Sequence, residues 1–201
     1  KHFPGHGDTR TDSHIELPVV DADMSRLEAL ELVPFRRAVD AGVDAVMTAH
    51  VAVPGILGPA GPPATLSPFF LTELLREDME FDGLVLTDAL RMGAISNDYG
   101  VGESAVLALE AGTDILLAPG DVWSTLDAVE AAVVSGRITR ERLNASVRRV
   151  LETKARVGLH RNRQVSLEHI GEVVGSGEHL AFADEAAARS MTLPRDMDGL
   201  I

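Results

Sequence analysis

The sequence predicts an α/β protein with parallel strands, about half of a TIM-type (β/α)₈ barrel. Three observations predict it. Short apolar runs of strand length recur at residues 44–50, 81–88 and 113–118; segments of helical period separate them; and Gly42 and Gly112 punctuate the helix-to-strand junctions. Strands alternating with helices at this spacing imply right-handed βαβ crossovers and parallel pairing. The 201 residues fall short of the roughly 250 of a whole barrel. Three clear strands, with residues 1–3 as the frayed end of a fourth, make half of the eight.

Residues 1–24 read as a loop, dense in Gly, Pro, His and carboxylates and without sustained hydrophobic period. Leu27, Leu30, Val33, Ala38 and Val39 then recur near helical spacing over 25–41, with Ser25 as the N-cap and Gly42 as the stop. The run D-A-V-M-T-A-H at 44–50 fits a buried parallel strand. A Pro/Gly-rich loop at 53–63 leads to Ser67, expected to cap a helix over 68–79 with Pro68 at its first position. The run F-D-G-L-V-L-T-D at 81–88 is the next strand; a helix over 101–111 stops at Gly112, and T-D-I-L-L-A at 113–118 is the third strand. Helices follow at 122–135, 139–157, 167–174 and 178–190, and the final T-L-P-R-D-M-D-G-L-I reads as the lead into a further strand or linker.

The net charge of −13 argues against nucleic acid as a partner, because phosphates select basic surfaces. It equally disfavours anionic membranes. No stretch approaches the roughly 18 to 20 apolar residues of a spanning helix. Without cysteine, disulfides and thiolate metal sites are excluded.

The strand ends carry the chemistry. In a parallel barrel, functional groups lie at the C-terminal ends of strands and on the loops that follow. Here the apolar runs end in His50 and Asp88, with Lys1-His2 on the frayed fourth. Burying an unpaired charge is costly, so three such endings in neighbouring units point to a site. Asp88 alone reads equally well as a helix N-cap or as a nucleophile. Asp12-Ser13-His14 sets a carboxylate two residues from an imidazole, and that carboxylate can orient the ring as an acid/base. His2, His6, Asp8, Asp12 and His14 could alternatively ligate a divalent metal, although their spacing matches no short zinc motif. Met92 is either a core gap-filler or a wall of a pocket. Trp123 and Tyr99 read as packing or loop residues, and His160, His169 and His179 as solvated.

Taken together, K-H-F-P-G-H-G-D-T with D-S-H, then M-T-A-H-V, P-A-T-L-S-P and F-D-G-L-V-L-T-D-A-L-R-M, resemble the β-N-acetylhexosaminidase branch of family 3 glycoside hydrolases. A weaker resemblance continues through R-I-T-R-E-R-L-N-A-S-V-R-R-V-L-E-T-K to A-R-S-M-T-L-P-R-D. The resemblance implies that residues 1–160 form the C-terminal part of the catalytic barrel. Residues 161–201 would be closing helices and a linker toward a second domain, and the rest of the barrel would come from a missing N-terminal segment. It implies Asp88 as nucleophile, His14 as acid/base held by Asp12, and Lys1, His2 and Met92 around a bound N-acetylglucosamine, with His50 as a further member of that shell. The expected substrate is a glycan bearing terminal β-linked N-acetylglucosamine, such as a peptidoglycan fragment, with no cofactor and no metal.

A histidine can replace the usual raised-pKa carboxylic acid because its ordinary pKa is already about 6.5. A neutral imidazole also repels an anionic acceptor less than a carboxylate does, so phosphate is expected to compete with water at the glycosyl-enzyme. The alternatives are a β-glucosidase-type member, against which the D-S-H loop argues, and a non-catalytic carbohydrate-binding half barrel.

Overall fold

A computed structural model describes residues 1–191, which are α/β, with a small parallel sheet and many helices; the expected linker at 192–201 lies outside the described residues. The chain divides into two compact units, Lys1–Val157 and Gly158–Ile201.

In the first unit, β1 (Ala45–Met47) pairs in parallel with β2 (Leu84–Leu86), in the register Val46 to Val85. Phe3 bridges in parallel to Thr48, and Leu86 to Ile115. The Phe3 amide donates to the Met47 carbonyl (2.8 Å), Thr48 to Leu86 (2.9 Å) and Thr87 to Ile115 (3.1 Å). Four segments thus pair in chain order. The full strands are shorter than the apolar runs, and the two outer segments are single bridges. Among the described residues each outer segment pairs on one side only. Val19 adds a bridge to Ala52.

The helical run at 25–41 is α1 (Met24–Arg26), a π-helical stretch (Leu27–Glu31) and α2 (Val33–Asp40). Its cap is Asp23, not Ser25: the Asp23 carboxylate accepts from the Arg26 amide at 2.8 Å, and a carboxylate is also favoured by the positive end of the helix. The short α3 (Pro54–Leu57) lies within the expected loop. The helix expected at 68–79 is π-helical over Phe69–Asp78, and Ser67 Oγ accepts from the Phe70 amide at 3.5 Å. A further one-turn helix, α4 (Gly93–Ser96), follows β2. Then come α5 (Val101–Ala111), α6 (Val122–Val134) and α7 (Arg140–Arg156). Gly112 ends α5 at φ +127°, in the region that favours glycine. Thr139 caps α7, accepting from the Arg142 amide.

The main core joins Phe3, Leu27, Phe70, Leu71, Leu75 and Val85, all fully buried. Phe3 meets Phe35 edge to face at 5.2 Å. A smaller cluster holds Leu66, Leu90, Ile95 and Ala105, with Tyr99 packed on it, whereas Trp123 is exposed. The second unit contains α8 (Ile170–Val173) and α9 (Gly177–Ser190), capped by Ser176.

Asp114 is the electrostatic hub of the first unit. Its buried carboxylate accepts from the Val85 amide (3.0 Å), Arg76 (2.5 Å), Ser146 (2.6 Å) and Arg149 (3.2 Å). Arg76 also donates to the Phe81 and Gly83 carbonyls, and Arg142 to the Thr113 carbonyl. These bonds tie β2, the 113–118 segment and α7 together. Burial pulls the Arg76 guanidinium down to about 10 despite Asp114, so it stays charged at neutral pH. Removing the carboxylate would leave clustered cations without an anion. Asp114→Ala is therefore expected to destabilise the protein by about 3–5 kcal/mol in denaturant titrations; a loss below about 1 kcal/mol, the scale of an exposed pair, would show that the cluster is not a stabilising hub.

Candidate active site

The residues after β1 and β2 converge with the N-terminal loop. Asp88 lies two positions past Leu86, and its side chain is 21% exposed. Its Oδ1 accepts from the Ala89 amide at 2.8 Å. That bond fixes the carboxylate plane. Oδ2 faces His2 Nε2 at 3.5 Å. Burial lowers the His2 pKa, opposed by the nearby Asp88, which favours a neutral ring at pH 7. One carboxylate oxygen is thus held, and the other meets only a long imidazole contact.

His50 is 1% exposed behind this carboxylate. Its Nε2 donates to the Ala89 carbonyl at 3.0 Å, and its Nδ1 lies 2.8 Å from Thr65 Oγ1. A carbonyl only accepts, so Nε2 carries the proton, and burial, which lowers the pKa, favours a neutral ring with Nδ1 as acceptor. Both nitrogens are engaged within the fold, so His50 braces the residue next to Asp88. Thr65 also lies 2.9 Å from Thr48 Oγ1. It sits in the P-A-T-L-S-P motif, and its hydroxyl meets Thr48, Ala49 and His50, all from the segment leaving β1, a contact that only the fold creates.

Asp12 and His14 form the second centre. Asp12 Oδ1 accepts from both the His14 amide (2.9 Å) and His14 Nδ1 (2.8 Å). The amide first, then the ring, holds the Asp12 carboxyl below its ordinary 3.8, so it remains ionised across the neutral range. His14 is 74% exposed, and Nε2 is its free nitrogen. Beneath the loop, His6 bridges Thr9 (2.9 Å) and the buried Ser13 (3.1 Å). The sequence marks His6 only as a possible metal ligand, whereas the fold makes it a brace of the loop.

That metal alternative lacks a geometry. Among the described residues no three His, Asp or Glu side chains gather to hold an ion. Asp8 instead pairs with Arg26 at 2.6 Å, and Asp12 with His14.

Lys1 is exposed, and with His2 it lines a cavity of about 470 Å³ shared with His6, Asp8, Glu31 and Phe35. Asp88, Asp12, His14, Met92 and His50 do not line that cavity. Met92 is buried, 7% exposed, and immediately precedes α4.

The sequence profile of the glycosyl hydrolase family 3 N-terminal domain matches residues 1–153. A solved family 3 β-N-acetylglucosaminidase from Paenibacillus sp. str. FPU-7 is 46% identical with TM-score 0.85, over 98% of this chain and 38% of that one. A β-hexosaminidase of Methylococcus capsulatus is 40% identical over 70% of this chain and 42% of its own length. A solved β-glucoside phosphorylase is 27% identical with TM-score 0.89, over 100% of this chain and 38% of that one. The chain therefore spans only about two-fifths of these relatives. Among the described residues no helix is long and apolar enough to cross a membrane. With the profile covering most of the 201 residues, the chain belongs to glycosyl hydrolase family 3, in its N-terminal domain.

Proposed function

We propose that the protein containing this chain is a retaining exo-glycosidase that removes terminal β-linked N-acetylglucosamine, with peptidoglycan or other amino-sugar fragments as the substrate class. The single observation that carries the proposal is that two groups are differently prepared. Asp88 has one oxygen held and one open, and His14 has one nitrogen held by Asp12 and one open. The printed names of the Paenibacillus and Methylococcus relatives support the substrate class.

In the first step Asp88 Oδ2 attacks the anomeric carbon, and the glycosidic C–O bond breaks. His14 Nε2 delivers its proton to the leaving oxygen while Nδ1 keeps its hydrogen bond to ionised Asp12. In the second step Nε2 takes a proton from water, the water oxygen bonds to the anomeric carbon, and Asp88 leaves as carboxylate. Lys1 and His2 supply hydrogen bonds to sugar hydroxyls, Met92 a wall of the pocket, and His50 the brace on Ala89. The four parallel segments constitute the C-terminal half of a (β/α)₈ barrel over residues 1–160. Its remaining strands come from a segment outside these residues.

The purified protein, expressed from its whole open reading frame, is expected to hydrolyse an aryl N-acetyl-β-glucosaminide and to release the β-anomer first by NMR. Release of the α-anomer would contradict a covalent intermediate. Greater activity on the aryl β-glucoside would favour the β-glucosidase-type alternative, and no activity on either the carbohydrate-binding one. Asp88→Asn is expected to lower kcat by roughly 10⁴-fold or more, and Asp12→Asn by roughly 10²–10⁴-fold with little change in KM. A drop in KM affinity alone would assign Asp12 to binding.

The similarity to a β-glucoside phosphorylase favours a second outcome at the same intermediate. Added phosphate is expected to yield a glycosyl phosphate detectable by mass spectrometry. Its absence at saturating phosphate would leave water as the sole acceptor tested.

A further inference from the structure

One short stretch of backbone, 88–97, bears Asp88 and docks on the loop that bears His14. The N-terminal amides of α4 lie within six residues of Asp88 and donate into the loop that bears His14. Gly93 donates to the His14 carbonyl and Ala94 to the Ser13 carbonyl, each at 3.1 Å. Asn97 Nδ2 donates to the Ile15 carbonyl at 2.9 Å. Helix-start amides and loop carbonyls both lack regular partners, and here they satisfy one another. The loop is also closed on itself, because the Ile15 and Glu16 amides donate to the Asp12 carbonyl. The backbone of 12–16 is therefore fixed on both sides while the His14 ring projects outward.

This contact requires glycine. A Cβ on Gly93 would lie 2.2 Å from the Ile15 carbonyl oxygen, 2.6 Å from the Ile15 carbonyl carbon and 2.9 Å from the His14 carbonyl oxygen. All three are backbone atoms and cannot rotate aside. Either the loop lifts or α4 moves, and in both cases His14 shifts relative to Asp88.

We propose that Gly93 and Asn97 are positioning residues that set the His14 loop at its working distance from Asp88. The inference rests on the reading of Asp88 as nucleophile and His14 as acid/base. It adds that their separation is fixed by direct backbone docking of one loop on the other. Neither residue touches the sugar in this account; both act through the loop.

Leaving-group dependence distinguishes misplacement of the acid from general damage. A dinitrophenyl leaving group departs without a proton, whereas a phenyl leaving group needs one. For both aryl N-acetyl-β-glucosaminides, kcat/KM reports the step that breaks the glycosidic bond. Gly93→Ala is expected to lower kcat/KM on the phenyl substrate by roughly 100-fold, the scale of about 1 Å of misplacement. On the dinitrophenyl substrate the fall should stay within about threefold, because general acid catalysis contributes little there. Asn97→Ala, at an exposed position and without a clash, is expected to move the same ratio in the same direction by a smaller factor. Gly100→Ala, where an added Cβ meets nothing within 4 Å, serves as the control and should leave both values unchanged.

Equal losses on the two substrates in Gly93→Ala and Asn97→Ala, or no loss on either, would overturn the inference while leaving the glycosidase reading intact. If Gly93→Ala does not fold, Asn97→Ala decides by the same ratio. An unsubstituted protein inactive on both substrates would instead sink the glycosidase reading, and the inference with it.

Discussion

Parallel pairing of neighbours in chain order is the constraint on which the rest depends. Because Phe3, β1, β2 and Ile115 hydrogen-bond side by side in one direction, the chain leaves β1 and β2 at a common edge. His50 and Asp88 follow those exits by a few residues, and the N-terminal loop is drawn to the same edge by the bridge from Phe3. Neither Asp88 nor His14 could be brought toward the other by local structure, since 74 positions separate them in the chain. The sheet supplies the long-range part of that placement, and the loop contacts supply the short-range part.

The two edges of the sheet treat charge in opposite ways. On the entrance side Asp114 is buried and receives donors from Arg76, Arg149, Ser146 and the Val85 amide, while Asp44 makes an exposed ion pair with Arg156 at 2.9 Å. On the exit side His50 is fully engaged, whereas Asp88 and His14 are only partly satisfied. Asp88 keeps an open oxygen and His14 an open nitrogen. Saturated ions hold structure, whereas a partly satisfied pair keeps the capacity to react.

Much of this was legible in the sequence, for identifiable reasons. The run L-V-L before Asp88 announces a buried strand, and Gly112 announces a helix end, because both depend on local composition. Asp12 and His14 stand two residues apart, so their hydrogen bond is also local. The helix cap at Asp23 in place of Ser25 was a near miss between two residue types that serve equally well. What could not be read is long-range contact. Thr65 against His50, Ser13 against His6, and Gly93 against Ile15 each join residues through the fold. A glycine after Met92 looks like any other until the backbone that approaches it is known. The buried cluster of Asp114 with arginines from α7 and the Phe69–Asp78 helix was hidden for the same reason.

The central claim is that Asp88 forms the covalent bond to the sugar. A fluorinated N-acetylglucosaminyl inactivator that slows breakdown of the glycosyl-enzyme, followed by peptide mapping in the mass spectrometer, tests it directly. A single adduct is expected, localised to Asp88, that builds up as activity is lost. An adduct on any other carboxylate, with Asp88 unmodified, would contradict it.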